Sequence, residues 1–243
     1  MADNCTPPRP IPARGHWAIF AESIVSSVGN PDALLLRVLG RTLVQAGHEV
    51  TFYEPRRNPA LLRLLRRDGA RGLDAFRRAY PDLPYRTMDE RAGADLVEWL
   101  TRTLATADVA LVQSGAPATL TTWIGRLTRP HLRTYLLETG WNAPLAPEDR
   151  AAREPANFSG ICAGAAVAPA YRAYAPPERL LLLGALPDPS ELDTPAACAQ
   201  LEAVARELVA GILAEPAPEN DDRRATTDEA HDAPAGRTRP LTR

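Results

Sequence analysis

A chain of 243 residues with 45% hydrophobic and 24% charged side chains has the make-up of a soluble globular protein built around one substantial core. Its net charge of -2 and pI near 6.1 give no global basis for nucleic-acid binding. Cys5, Cys162 and Cys198, scattered and without a C-x-x-C pair, exclude a disulfide framework and a structural zinc site and fit a reducing, cytoplasmic setting.

Residues 1–14 are polar and Pro-rich with no apolar signal-peptide core, and they read as a disordered leader. The domain is expected over 15–215, followed by a disordered tail over 216–243 that mixes Pro, charge and Thr. No stretch approaches the roughly 18 consecutive apolar residues of a membrane span. Every basic side chain other than His is Arg, a bias of composition with no functional content.

Between the ends, apolar runs at 16–22, 49–54, 85–88, 108–114, 133–138, 158–163 and 179–184 read as strands. Helical periodicity is expected over 31–46, 59–78, 89–106, 118–128, 147–153, 166–174 and 191–214. The alternation predicts an α/β fold, a single Rossmann-like domain with a mainly parallel sheet flanked by helices, plus a C-terminal helix and disordered ends. The first helix is the best specified. Asn30 is a favoured N-cap, Pro31 suits the first helical position, Asp32 puts a negative charge in the first turn, and Gly47 lies just past the end. Asn30 occupies a free N–H and Asp32 repels anions, so this opening is poorly prepared for phosphate, and neither G-x-G-x-x-G nor a P-loop pattern is present. His48, in the following turn, reads as an ordinary solvated histidine, and no metal site is expected.

In such a sheet, ligands bind beyond the carboxyl ends of the strands where the strand order reverses. That rule nominates the segments 23–30, 54–58, 113–117 and 138–142. The candidate binding residues are Ser26, Ser27, Gly29, Asn30, Glu54, Gln113, Ser114, Gly115 and Trp141, with Glu138 as the candidate catalytic acid. For Glu54 and Glu138 alike, a surface acid without chemistry is the simpler expectation. Trp141 falls in a nominated loop and has a face suited to stacking on a sugar, whereas Trp17, Trp99 and Trp123 read as core or surface anchors.

The order and spacing of "SSVGN", Arg37 on the next helix, "AGHEVTFYE" and "PRRN" resemble the start of CgeB-like glycosyltransferases of the GT-B fold. "ADVALVQSGAP", and "AGAAVAPAYRAY" followed by "RLLLLGALPDP", resemble later segments of that family, so the resemblance covers roughly residues 16–189. It implies a relative of enzymes that move sugar from a nucleotide sugar, with the first of two Rossmann-like domains contacting the acceptor and the second holding the donor. The chain departs from the family pattern at Pro31, Asp32, Ala33, Leu34 and Leu35, which replace polar residues, and Glu138 and Asn142 align only loosely with its paired acids. After Pro189 a helix and a polar tail stand where a second Rossmann domain is expected. The resemblance therefore implies a truncated, glycosyltransferase-like protein without its own donor-binding domain, or a non-catalytic acceptor-binding module acting with a separate donor-domain chain. No cofactor is expected beyond a nucleotide-sugar donor, and the expected partners are that chain or a homo-oligomer, with no nucleic acid.

The segment from Arg56 to Arg78 holds eight arginines against Asp68 and Asp74, with Leu61, Leu64, Leu65, Leu73 and Phe76 spaced as one helical face. A solvated helix face accounts for this more simply than contact with a membrane surface or a phosphorylated acceptor. Leu201, Val204, Leu208 and Ile212 give the last helix an apolar stripe expected to pack on its own sheet.

Overall fold

A computed structural model of the chain describes residues 12–25, 30–89, 91–141 and 144–214. The strands are β1 (His16–Phe20), β2 (Glu49–Pro55), β3 (Tyr85–Met88), β4 (Val109–Gln113), β5 (Arg133–Glu138), β6 (Gly160–Ala163) and β7 (Leu180–Leu182). They form one fully parallel sheet in the order β3-β2-β1-β4-β5-β6-β7, with registers such as Phe20 against Tyr53 and Val112, and Leu137 against Cys162. This is the doubly wound order, in which the chain returns to the middle of the sheet and continues outward in the opposite direction.

Alternation along the strands builds two cores. Trp17, Ile19, Val50, Phe52, Val109, Leu111, Tyr135 and Leu137 face one side. There they meet helices α1 (Pro31–Gln45), α2 (Pro59–Asp68), α3 (Ala70–Ala79) and α7 (Pro195–Ala214). Ala18, Phe20, Tyr53, Ala110, Val112, Leu136 and Ile161 face α4 (Gly93–Thr103) and α5 (Ala118–Arg126) on the other, while the short α6 (Pro147–Ala151) precedes β6. The α7 stripe of Leu201, Val204, Leu208 and Ile212 is buried on the first face, beside α1. Trp17 is fully buried, Trp99 and Trp123 pack half-buried on the second core, and Cys162 and Cys198 are not joined by a disulfide.

Helix α1 starts and stops where its sequence signals lie: the Asn30 side chain accepts from the Ala33 N–H at 3.2 Å, and Gly47 takes φ of 88°. Three expectations are corrected. The helix expected over 59–78 is two helices, because Gly69 adopts φ 59° and ψ -148°, a conformation essentially reserved for glycine that a continuous helix cannot contain. The helix expected over 166–174 is only a 3-10 turn at Ala168–Tyr171; Pro169 falls inside the expected span, where it cannot donate a helical hydrogen bond, and Tyr171 is drawn into the core. His48 is not solvated. It is 5% exposed, its Nδ1 accepts from the Gly15 N–H at 3.0 Å, its ring meets Trp17 edge-on, and burial lowers its pKa. The expected leader falls mainly, and the expected tail wholly, outside the described residues.

Candidate functional site

The strand order reverses between β1 and β4, and the residues just beyond these strands build a compact polar cluster. Leaving β1, the Glu22 N–H donates to Gln113 Oε1 at 2.9 Å, so the end of β4 clamps the chain leaving β1. The Gln113 side chain also hydrogen-bonds Asp32 in the first turn of α1, and the Thr139 hydroxyl, just past β5, donates to Asp32 Oδ1 at 2.5 Å. Thr139 Oγ1 in turn accepts from the Trp141 N–H at 3.3 Å. Three strand ends and one helix start are thereby tied through three side chains. Gly115 completes the wall: a Cβ there would lie 2.6 Å from Glu22 Oε2, so only glycine lets that carboxylate approach.

Burial sets the charge state of this cluster. Asp32, 5% exposed, has its pKa raised by desolvation and by the charge of Glu138, against the hydrogen bonds from Thr139 and Gln113 that lower it. Glu22 is half-buried, and its pKa is raised first by desolvation and then by Asp32, with Arg63 pulling the other way. It is the carboxylate of the cluster within reach of solvent. A carboxylate so placed holds its proton more tightly than usual and is suited to exchanging one with a ligand hydroxyl.

Glu54 and Glu138 are not surface acids: they are 0% and 4% exposed. Strand alternation is the reason, since Glu54 continues the inward face of Val50 and Phe52, and Glu138 that of Leu136 on the opposite side of the sheet. Glu54 Oε2 accepts from the Ile24 and Val25 N–H groups at 2.9 and 3.3 Å, and the Ser23 hydroxyl also bonds it. Arg37 stands nearby, its Nε donating to the Ile24 carbonyl at 2.9 Å and its guanidinium lying 5.5 and 5.3 Å from the Phe76 and Tyr80 ring centres. Burial still raises the pKa of Glu54. Glu138 accepts from the Tyr171 hydroxyl and from the Leu145 N–H at 3.3 Å, while Arg150 lies over the Tyr171 ring. Burial and Glu138 push the Tyr171 phenol upward. Both acids anchor loops.

Of the other residues nominated from sequence, Gln113 and Gly115 belong to the cluster, and Asn30 is occupied as the α1 cap. Ser114 is half-buried, with its N–H donating to Leu137 and its carbonyl accepting from Arg153 Nε. Trp141 is half-buried, and its Nε1 donates to the Pro187 carbonyl at 3.0 Å. Ser26, Ser27, Gly29 and Asn142 lie outside the described residues. Sequence reasoning missed Glu22, Thr139, Tyr171 and Arg150, and took Asp32 only as a repellent of phosphate. Glu22 had one local signal, as the first polar residue after a fully apolar strand end.

Surface hollows of about 460 and 500 Å³ lie at the two edges of the sheet, beside Tyr80 and Tyr85 and beside Tyr174 and Leu182, away from the reversal point. Among the described residues, no three His, Cys, Asp or Glu side chains group to hold a metal, and no helix is long and apolar enough to cross a membrane.

No protein-family model and no curated protein matches the chain. Among solved structures it aligns with an α,α-trehalose-phosphate synthase (UDP-forming) from Burkholderia vietnamiensis at 14% identity and a TM-score of 0.31, covering 82% of this chain. The chain spans 42% of the length of that synthase. It also aligns with a tryptophan synthase from M. tuberculosis at 18% identity and a TM-score of 0.29, covering 82% of this chain and 93% of that one.

Proposed function

We propose that the chain is a glycosyltransferase-like protein whose polar cluster beyond the ends of β1 and β4 binds the acceptor of a sugar transfer from a nucleotide sugar, in a cytoplasmic setting. The carrying observation is Glu22, a half-buried carboxylate at the strand-order reversal, its pKa raised by burial and by Asp32, set against a glycine and backed by Gln113. In this reading Glu22 takes the proton of the acceptor hydroxyl while that oxygen bonds to the anomeric carbon and the sugar–phosphate bond breaks, with the electron pair leaving on the nucleotide diphosphate. The sequence resemblance to CgeB-like proteins supports the substrate class. The donor site is supplied by a second sheet, in another chain or in a further segment of a longer one.

A second reading, an acceptor-binding module without catalysis of its own, is favoured by the single sheet formed by the described residues. Purified chain is to be titrated with UDP-, GDP- and dTDP-sugars and assayed for sugar-nucleotide hydrolysis, alone and with cell lysate. Turnover that needs a lysate component and falls about 10²- to 10⁴-fold in Glu22→Gln supports the first reading. Lysate-dependent turnover that is unchanged in Glu22→Gln supports the second, and no binding or turnover in either condition overturns both.

A further inference from the structure

The helical hairpin α2–α3 carries a charge distribution that its packing does not use. Its inner face is held by Leu61, Leu64 and Phe76, all buried, and Gly72 lets α3 press on α2, since a Cβ there would lie 2.9 Å from Leu64 Cγ. The outer face is almost wholly cationic. Residues 59–79 hold six arginines and two acids, a local +4 in a chain of net -2, so the remainder carries -6. The two acids engage neighbours within the hairpin, Asp68 with Arg67 at 2.7 Å and Asp74 with Arg77 at 3.7 Å. Arg66, Arg71 and Arg78 are exposed and make no ion pair among the described residues. Leu62 sits among them, 39% exposed, one of the few large apolar side chains left to solvent.

We propose that this outer face docks the protein on an anionic lipid bilayer. Two adjoining helices that bury their apolar sides in the core and turn arginines outward match the negative headgroup layer of an anionic leaflet. A single-stranded nucleic acid fits less well, because base recognition needs aromatic platforms. On this hairpin Phe76 is buried and Tyr80 is packed on Arg37. Helix α2 leaves the sheet at the carboxyl end of β2, the edge that also carries the Glu22 cluster, and Arg63 is near enough to lower the pKa of Glu22. Docking would therefore bring that edge toward the bilayer. The surface stands whether or not the polar cluster transfers sugar.

The test is co-sedimentation of the full chain with vesicles of phosphatidylcholine alone or with about 30 mol% phosphatidylglycerol, at about 0.1 M and about 0.5 M salt. Binding is expected only to the anionic vesicles and at the lower salt. Arg66→Glu, Arg71→Glu and Arg78→Glu together are expected to cut it at least tenfold, whereas Arg41→Glu with Arg172→Glu, exposed arginines elsewhere, leave it unchanged. Far-UV circular dichroism and melting temperature establish that both variants fold, and single reversals replace the triple variant if it does not. Equal binding to neutral vesicles, no binding to anionic ones, or retention in the triple variant overturns the proposal. So does binding that appears only after removal of residues 215–243, which would assign the face to the chain's own acidic end, and so does tighter binding of an oligonucleotide at the same salt.

Discussion

Replacing Arg37 by Met tests whether the buried cation holds the loop after β1 in place. The substitution keeps an unbranched apolar chain between the Phe76 and Tyr80 rings but removes the charge beside Glu54 and the donor to the Ile24 carbonyl. A hydrogen bond from a charged group contributes about 1.5–3 kcal/mol, and loss of the positive charge near Glu54 adds to this at pH 7. A loss of about 2–4 kcal/mol at pH 7 is expected, or roughly 4–16 °C in melting temperature for a domain of this size. The loss must depend on pH. Burial raises the folded pKa of Glu54 above its ordinary 4.5, so the corresponding stability is fully present below the unfolded pKa and is lost as pH rises through the folded one. Without Arg37 the folded pKa rises further, which enlarges the penalty at pH 7 and leaves it nearly unchanged at pH 4. Urea unfolding at pH 7 and pH 4 reads both effects, and Glu54→Gln in the Arg37→Met background should recover about half of the loss at pH 7. A cost below about 1 kcal/mol at pH 7, or equal costs at the two pH values, refutes the reasoning.

Gly164→Ala should destabilise by more than about 2 kcal/mol, since its Cβ would stand 2.0 Å from the Thr139 carbonyl oxygen, a backbone atom with no rotamer to escape into; a melting temperature within about 2 °C of wild type counts against the packing described. Asp32→Asn keeps an acceptor for the Thr139 hydroxyl while removing a carboxylate whose folded pKa is raised by burial. Wild-type stability from this group is present at low pH and falls as pH rises through the folded pKa, so the variant should lose less stability than wild type between pH 4 and pH 7 in urea titrations. A parallel pair of profiles contradicts it.

The strands and the first helix were legible because their signals are local: apolar runs fix β1 through β7 to within a few residues, and Asn30, Pro31 and Gly47 mark the ends of α1. The break at Gly69 was hidden by its neighbours. The Leu and Arg periodicity continues across it, and only the backbone angles required by the α2–α3 packing distinguish a hinge from a tolerated helical glycine. The candidate site was less legible still. The loops were found by the strand-end rule, but which side chains meet depends on crossovers, as with Thr139 and Asp32, 107 residues apart. The burial of Glu54 and Glu138 was misjudged for the same reason: an acid ending a strand is sheltered only when another element brings it a donor, here the Ile24 amide for one and Tyr171 for the other.

These partners divide the acids at the carboxyl edge by task. Glu54, on the α1 face of the sheet, is held by two amides beside a guanidinium, and Glu138, on the opposite face, by a phenol and an amide. Neither could change partners for a ligand without releasing the loop it anchors. Asp32 is likewise engaged by Thr139 and Gln113, which leaves Glu22 as the acid of the edge that is both electrostatically perturbed and open to solvent. Removing charge at position 22 should therefore act on ligand binding or turnover while sparing the fold, and removing it at 54 or 138 should act on the fold first. One solvent-accessible carboxylate at the middle of the edge follows from the strand order itself, because the chain leaves β1 and β4 toward helices on opposite faces of the sheet.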